Sequence, residues 1–250
     1  MTQKMYIVLG TLFVLGIAEN LFSFYKSNRS YWQKIRDNYG LAVVNTVVVN
    51  FAFVFLLSWI TTQTLFTGIL SFITTNTYTS GILAFLVLDF FMYMWHRLMH
   101  EWDFAWNFHQ VHHSELDMNT SSSFRFHFVE IAASKIFLLL WIGLWGIDVV
   151  FYFMYEAVFM VSVLLQHSNI HIPYKLDKLM SYVVVTPNFH RIHHSQDTHE
   201  SNANYSSILT IWDWVFGTLV WNHHPQHIKI GMKKYPLPQN VWQLLKMPWS

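Results

Sequence analysis

Residues 129–146 are apolar except for Glu130 and Lys135 near their start, and residues 149–166, VVFYFMYEAVFMVSVLLQ, follow almost at once. As helices rising about 1.5 Å per residue, the 18 residues of each stretch span about 27 Å, close to the hydrocarbon core of a bilayer at about 30 Å. Gly146, Ile147 and Asp148 make a tight turn between them, so the second helix returns to the side where the first began. Further apolar segments lie at 6–24, 41–60 and about 81–95. Only 12% of the residues are charged and 53% are hydrophobic, whereas a typical soluble domain is about 25% charged. The chain therefore reads as an all-α integral membrane protein with about four to five transmembrane helices.

Charge sets the expected orientation. Segment 6–24 is followed by Lys26, Arg29, Lys34 and Arg36, whereas a signal peptide carries its positive charge ahead of the apolar run, so this segment reads as a retained anchor. Residues 61–80 contain no Lys or Arg. The positive-inside rule then places loop 26–36 in the cytoplasm and 61–80 outside. Segments 81–95 and 149–166 both end on the cytoplasmic side, where a histidine-rich helical cap is expected. The amino terminus is expected outside. A net charge of +1 supplies no basic stripe for nucleic acid, and the absence of cysteine excludes disulfides and iron–sulfur ligation by this chain.

The chemistry is concentrated in histidines. HRLMH holds His96 and His100, and HQVHH holds His109, His112 and His113. HSNIH holds His167 and His171, and HRIHH holds His190, His193 and His194. Side chains three or four residues apart share one face of a helix, so each cluster offers a set of imidazole ligands. One ion rarely takes more than about six ligands, so ten imidazoles point to two ions sharing a site. Imidazole suits iron, zinc, copper or nickel. A transporter would place its sites near mid-membrane on broken helices, whereas these clusters lie just beyond the spans. A zinc hydrolase is disfavoured by the lack of HExxH.

Metal-bound imidazoles need their other N–H oriented. Asp89, seven residues before His96, and Glu156, eleven before His167, are nearly whole helical turns away. Each is a candidate orienter, with a polar contact between helices as the alternative. His127 is a further candidate, as an additional ligand or a group that supports one. His199 reads as a surface or substrate-side residue, and His223, His224 and His227 as exposed tail residues. Phe90, Met94, Phe159 and Trp212 offer apolar walls for a lipid, or else face the bilayer.

The clusters, together with SFRFHFVE (123–130), QHSNIHIP (166–173), TPNFHRIHHS (186–195) and NANYSSILTIWDWVFGTL (202–219), resemble the fatty acid hydroxylase/sterol desaturase superfamily of integral-membrane oxygenases. One departure is Phe128, where many members of the family carry proline. The resemblance implies two iron ions, replaceable by zinc on purification, that activate O2 and oxidise an unactivated C–H bond of a fatty acyl, sterol-like or other isoprenoid lipid. It also implies electrons from a separate donor protein. Hydroxylation is the expected outcome, with lipid desaturation as the alternative within the family and metal transport as the alternative outside it. The expected organisation is a membrane anchor at 1–80, a catalytic domain at 81–221 and a polar tail at 222–250. The expected location is a bacterial inner membrane, or the endoplasmic reticulum membrane in a eukaryote, with the active site on the cytoplasmic face.

Overall fold

The computed structural model describes residues 2–26, 29–62 and 68–250, and among these its regular elements are all helices, with only isolated β-bridges besides. Helix α1 covers Thr2–Leu21. Helix α2 (Tyr31–Asn45) passes through one wider turn, Thr46–Asn50, into α3 (Phe51–Thr62). The short α4 (Ile69–Ile73) precedes α5 (Thr77–Glu101), α6 (Asp103–His113), α7 (Phe128–Trp145) and α8 (Val149–His167). Short helices follow: α9 (Tyr174–Met180), α10 (Pro187–His193), α11 (Thr198–Ser201), α12 (Ile211–Val215) and α13 (Val241–Lys246).

Among the described residues α5, α7 and α8 are long and apolar enough to cross a membrane. The bent pair Trp32–Val49 and Phe53–Trp59, angled by 42°, makes a fourth candidate, and Tyr6–Leu21 is a shorter apolar helix. The buried core joins α3, α5, α7 and α8 through Leu57, Leu88, Phe91, Leu139, Ile142 and Tyr152. Phe137, Leu140, Val150, Met154 and Val158 point outward and stay exposed. So large an apolar exterior belongs in lipid. The chain is an all-α integral membrane protein.

Local chemistry sets the helix ends. Asn76 caps α5 by accepting from the N–H groups of Tyr78 and Thr79, and Asp148 caps α8 by accepting from Val150 N. The expected turn between α7 and α8 is present, with Gly146 in the left-handed region at φ 65°. Gly68 packs on this turn so closely that a Cβ there would lie 2.1 Å from Gly146 N. Backbone cannot yield as a side chain does. Gly68→Val is therefore expected to destabilise the protein by about 1–3 kcal/mol, read as a lower thermal unfolding midpoint in detergent. An unchanged midpoint would show that the contact is dispensable.

Helices α5 and α8 end at the same face of the bundle, and α6 and α10 lie across that end. Two buried side chains tie the layer together. Glu19 of α1 accepts from the backbone N–H of Thr120 at 2.6 Å and of Asn169 at 2.8 Å, joining the loops that follow α6 and α8. Arg125 donates to Val111 O at the end of α6, to Asn38 Oδ1 of α2 and to Ser114 Oγ.

Candidate metal centre

The structure brings nine of the ten expected histidines into two groups, each with ligand atoms within 4.8 Å of one another. His96 and His100 of α5, His109 and His113 of α6 and His193 of α10 form the first. His112 of α6, His167 at the end of α8, His190 of α10 and His194 just beyond it form the second. Each HxxHH motif serves both groups. His109 and His113, one turn apart, face the first group while His112 faces the second; His190 and His194 face the second while His193 faces the first. Neighbouring residues on a helix diverge by about 100°, so a doubled histidine divides between two centres. The groups touch where His113 and His194 stack, with centroids 4.4 Å apart.

Hydrogen bonds set the tautomers. The Nδ1–H of His96 donates to Tyr205 O (2.8 Å), that of His193 to Ala203 O (2.7 Å), that of His167 to Val163 O (2.7 Å) and that of His109 to Glu130 Oε1 (2.7 Å). A neutral imidazole that donates through Nδ1 carries a bare lone pair on Nε2. Four lone pairs are thereby directed into the groups. Nε2 of His109 and of His193 are buried with no hydrogen-bond partner. In the second group Nε2 of His167 lies 3.0 Å from that of His112 and 3.1 Å from that of His190, which is 3.1 Å from that of His194. Adjacent ligands on an ion with M–N bonds of about 2.1 Å are separated by about 3 Å. These residues fit a cation in each group.

The loop after α11 does much of the positioning. Asn204 adopts φ 57°, a conformation most side chains avoid but asparagine tolerates. It separates Ala203 and Tyr205, whose carbonyls hold His193 and His96. The Asn204 side chain donates to Phe189 O and Val220 O and accepts from Val220 N. Asp213 of α12 accepts from the backbone N–H of Tyr205 and Ser206. Helix α10 is capped by Thr186, whose hydroxyl donates to Asp177 Oδ1 at 2.7 Å, and begins with Pro187 in the first turn. Arg191, the residue after His190, is fully buried. It donates to Asn188 Oδ1 (2.6 Å), Ser168 O (2.8 Å) and Ile170 O (3.0 Å), and its guanidinium lies 4.1 Å from the Phe24 ring centroid.

Three expectations resolve differently. His171 lies outside both groups, exposed and stacked on Phe24. Helix α8 ends at His167 and Ser168 is extended, so the four-residue spacing in HSNIH is not helical. His127 uses both nitrogens elsewhere: Nδ1 accepts from Val129 N and Nε2 faces Leu245 O at 3.2 Å. Asp89 and Glu156 meet neighbouring elements rather than histidines. Asp89 Oδ2 accepts from Leu209 N and Trp212 Nε1, and Glu156 lies 3.7 Å from Lys135 Nζ on α7. The carboxylate that does orient a site histidine is Glu130. Its signal was a lone acid in the first turn of an apolar helix. The surface reading of His199, His223, His224 and His227 agrees with their exposure.

Burial holds His112, His113, His190, His193 and His194 well below the ordinary histidine pKa, and neighbouring imidazoles add to this. In the metal-free protein the unfolded chain takes up protons first, as pH falls through about 6.5. Stability should accordingly be flat above pH 7 and fall from about pH 6.5 downward until the depressed values are reached. Thermal unfolding of chelator-treated protein in detergent across pH 5–8 checks this, and a midpoint that rises on acidification would contradict it.

The model of the fatty acid hydroxylase family matches residues 81–218, more than half of the chain and all nine grouped histidines. Over 151 residues the chain is 35% identical to ornithine lipid hydroxylase OlsE of Rhizobium tropici, covering 58% of this chain and 43% of that protein. Over 136 residues it is 34% identical to alkylglycerol monooxygenase of Homo sapiens, covering 52% of this chain and 28% of that protein. The same enzyme of Xenopus tropicalis matches at 34% over 138 residues, 53% of this chain and 29% of that protein. Each match thus spans less than half of the relative's length. No solved structure matches.

Proposed function

The chain belongs to the fatty acid hydroxylase family, and on that premise we propose that it is a membrane-bound lipid hydroxylase with a two-iron centre. The observation that carries the reading is the division of nine buried or half-buried imidazoles into groups of five and four. All-nitrogen neutral donor sets suit iron in both of its common oxidation states. The five histidines of the first group and the four of the second would hold one iron each. Iron bound there supplies the chemistry of O2 reduction and C–H oxidation. The balanced reaction is RH + O2 + 2 e⁻ + 2 H⁺ → ROH + H2O, with the electrons delivered by a separate donor protein.

The rest is the work of this chain. Ala203 O, Tyr205 O, Val163 O and Glu130 hold four rings in the ligating tautomer, so little reorganisation accompanies reaction. His96 and His100 are the least buried of the nine, and His100 Nδ1 lies 3.4 Å from the exposed Asn202. The second group is fully buried, with Phe126 stacked 4.2 Å over His112. This asymmetry supports substrate approach at the first group. Phe90, Trp212 and Phe216 pack together on the membrane side of the same loop layer and suit an acyl chain. Two relatives are named for lipids with polar heads, ornithine lipid and alkylglycerol, which supports a polar-headed lipid as substrate.

The cytoplasmic face is proposed for the site. Arg29, in the basic stretch 26–36 that leads into α2, bonds Asp117 just beyond α6, so the positive stretch and the histidines share one end of the bundle, and positively charged flanks stay inside. A cysteine introduced at Thr75 should label only from the opposite side. The reaction is tested with reconstituted, iron-loaded enzyme, an electron donor, ¹⁸O2 and membrane lipid extract. Label in a hydroxylated lipid is expected. An unlabelled alkene would make the enzyme a desaturase, and turnover without oxygen would end the proposal.

A further inference from the structure

Residues 222–250 contain four lysines, Lys229, Lys233, Lys234 and Lys246, and no Asp or Glu. The expected polar tail is packed rather than free. Leu244 and Met247 are buried against Leu41 of α2 and Val111 of α6, and Gly40 sits so close to Val241 that an added Cβ would lie 2.5 Å from its side chain. The opposite face is apolar and uncovered: Leu237, Trp242 and Trp249 are 70%, 65% and 68% exposed. Lys246 lies one turn from Trp242, with its ammonium 4.9 Å from the indole centroid.

The height of this face relative to the spans can be read from ring contacts. Trp102 follows the last residue of α5 and Phe128 is the first of α7, and a continuous line of rings joins them. Trp102 meets Phe104 (5.3 Å), Phe104 meets Phe108 (5.5 Å), Phe108 meets Trp249 (5.9 Å), Trp249 meets His127 (5.4 Å) and His127 meets Phe128 (4.6 Å). Trp249 thus packs against His127, the residue that caps α7, which sets it close to the start of a membrane helix. Indole favours that depth, and lysines beside it favour anionic headgroups.

We propose that the segment Leu237–Trp249 is an in-plane membrane strap, with Trp242 and Trp249 seated among the headgroups and Lys233 and Lys246 on anionic phospholipid. It holds α6, and with it three of the nine site histidines, against the membrane surface from behind. The occupant is the bilayer itself, because the uncovered face adjoins the span ends and the segment 222–250 carries only positive charge.

The full chain has no cysteine, so single cysteines at Leu237, Trp242, Trp249 and, as a water reference, Gln226 can carry bimane in nanodiscs of phosphatidylcholine with or without phosphatidylglycerol. Labels at the first three positions should emit to the blue of the reference and be quenched by headgroup-level nitroxide lipid more than by iodide. Lys233→Ala with Lys246→Ala should lower that ratio about fivefold in the anionic discs and leave it unchanged in neutral ones. Iodide quenching equal to that at Gln226 overturns the strap. Protection from both quenchers overturns it in favour of a protein partner or a second copy. Nitroxide quenching indifferent to both phosphatidylglycerol and the lysines overturns the anionic assignment. All of these readouts are independent of turnover.

Discussion

His112→Ala is expected to lower the metal content from two ions per chain to one and to abolish lipid hydroxylation, with His193→Ala equally inactive but retaining more metal. The difference comes from ligand number. Removing His112 leaves three imidazoles in the second group, whereas removing His193 leaves four in the first. Loss of an outer partner of a ligand already costs about 10–100-fold in metal affinity or activity, so loss of a ligand should cost at least that much. His171→Ala should keep both ions, because its ring lies on Phe24 outside either group. Metal analysis of protein purified without chelator decides the matter. A wild-type content of one ion, or a His171→Ala variant that loses metal like His112→Ala, would contradict the two-group arrangement. Zinc in overexpressed protein would leave it intact, since such sites bind zinc more tightly than Fe(II).

Arg191→Leu should destabilise the protein by about 3–5 kcal/mol and empty the second group without touching a ligand. Removing the guanidinium leaves Ser168 O, Ile170 O and Asn188 Oδ1 without their donor in a buried site, and each unpaired group costs about 1–3 kcal/mol. Burial lowers the Arg191 pKa to about 10, partly offset by Tyr25, Asp177 and Glu19, so it remains charged at neutral pH. Because Ser168 follows His167 and Arg191 follows His190, this one side chain fixes the end of α8 against α10. Arg191→Lys should not rescue, since a single ammonium cannot reproduce the planar fork. The measurements are the unfolding midpoint and metal stoichiometry. A variant with both values unchanged would show that backbone packing alone sets the register of α8 and α10.

Run length and hydropathy were enough to locate α5, α7 and α8, because a span needs only uninterrupted apolar side chains, whereas α2 begins at Tyr31 inside the expected 26–36 loop. Gly146 and Asp148 marked the α7–α8 turn, since a left-handed residue and an N-cap have few chemical solutions. The spacing in HRLMH and HQVHH was equally legible, because it lies within single helices. Spacing failed in HSNIH, where α8 stops at His167 and the next three residues follow another path.

Asp89 and Glu156 show the limit of periodicity. Whole turns place them near the histidine face of their own helices, but neighbouring helices decide what they meet, and those supply Trp212, Leu209 and Lys135 instead. The groups that orient His96, His193 and His167 are the carbonyls of Tyr205, Ala203 and Val163. Every residue carries a carbonyl, so no residue type marks these positions. Sequence by itself determined which long apolar helices form and which ten histidines were candidates to bind metal. Only the tertiary structure decided how the doubled histidines divide between two centres and which nitrogen of each ring is left bare, because both depend on where α10 and the Asn204 loop pack against α5 and α6.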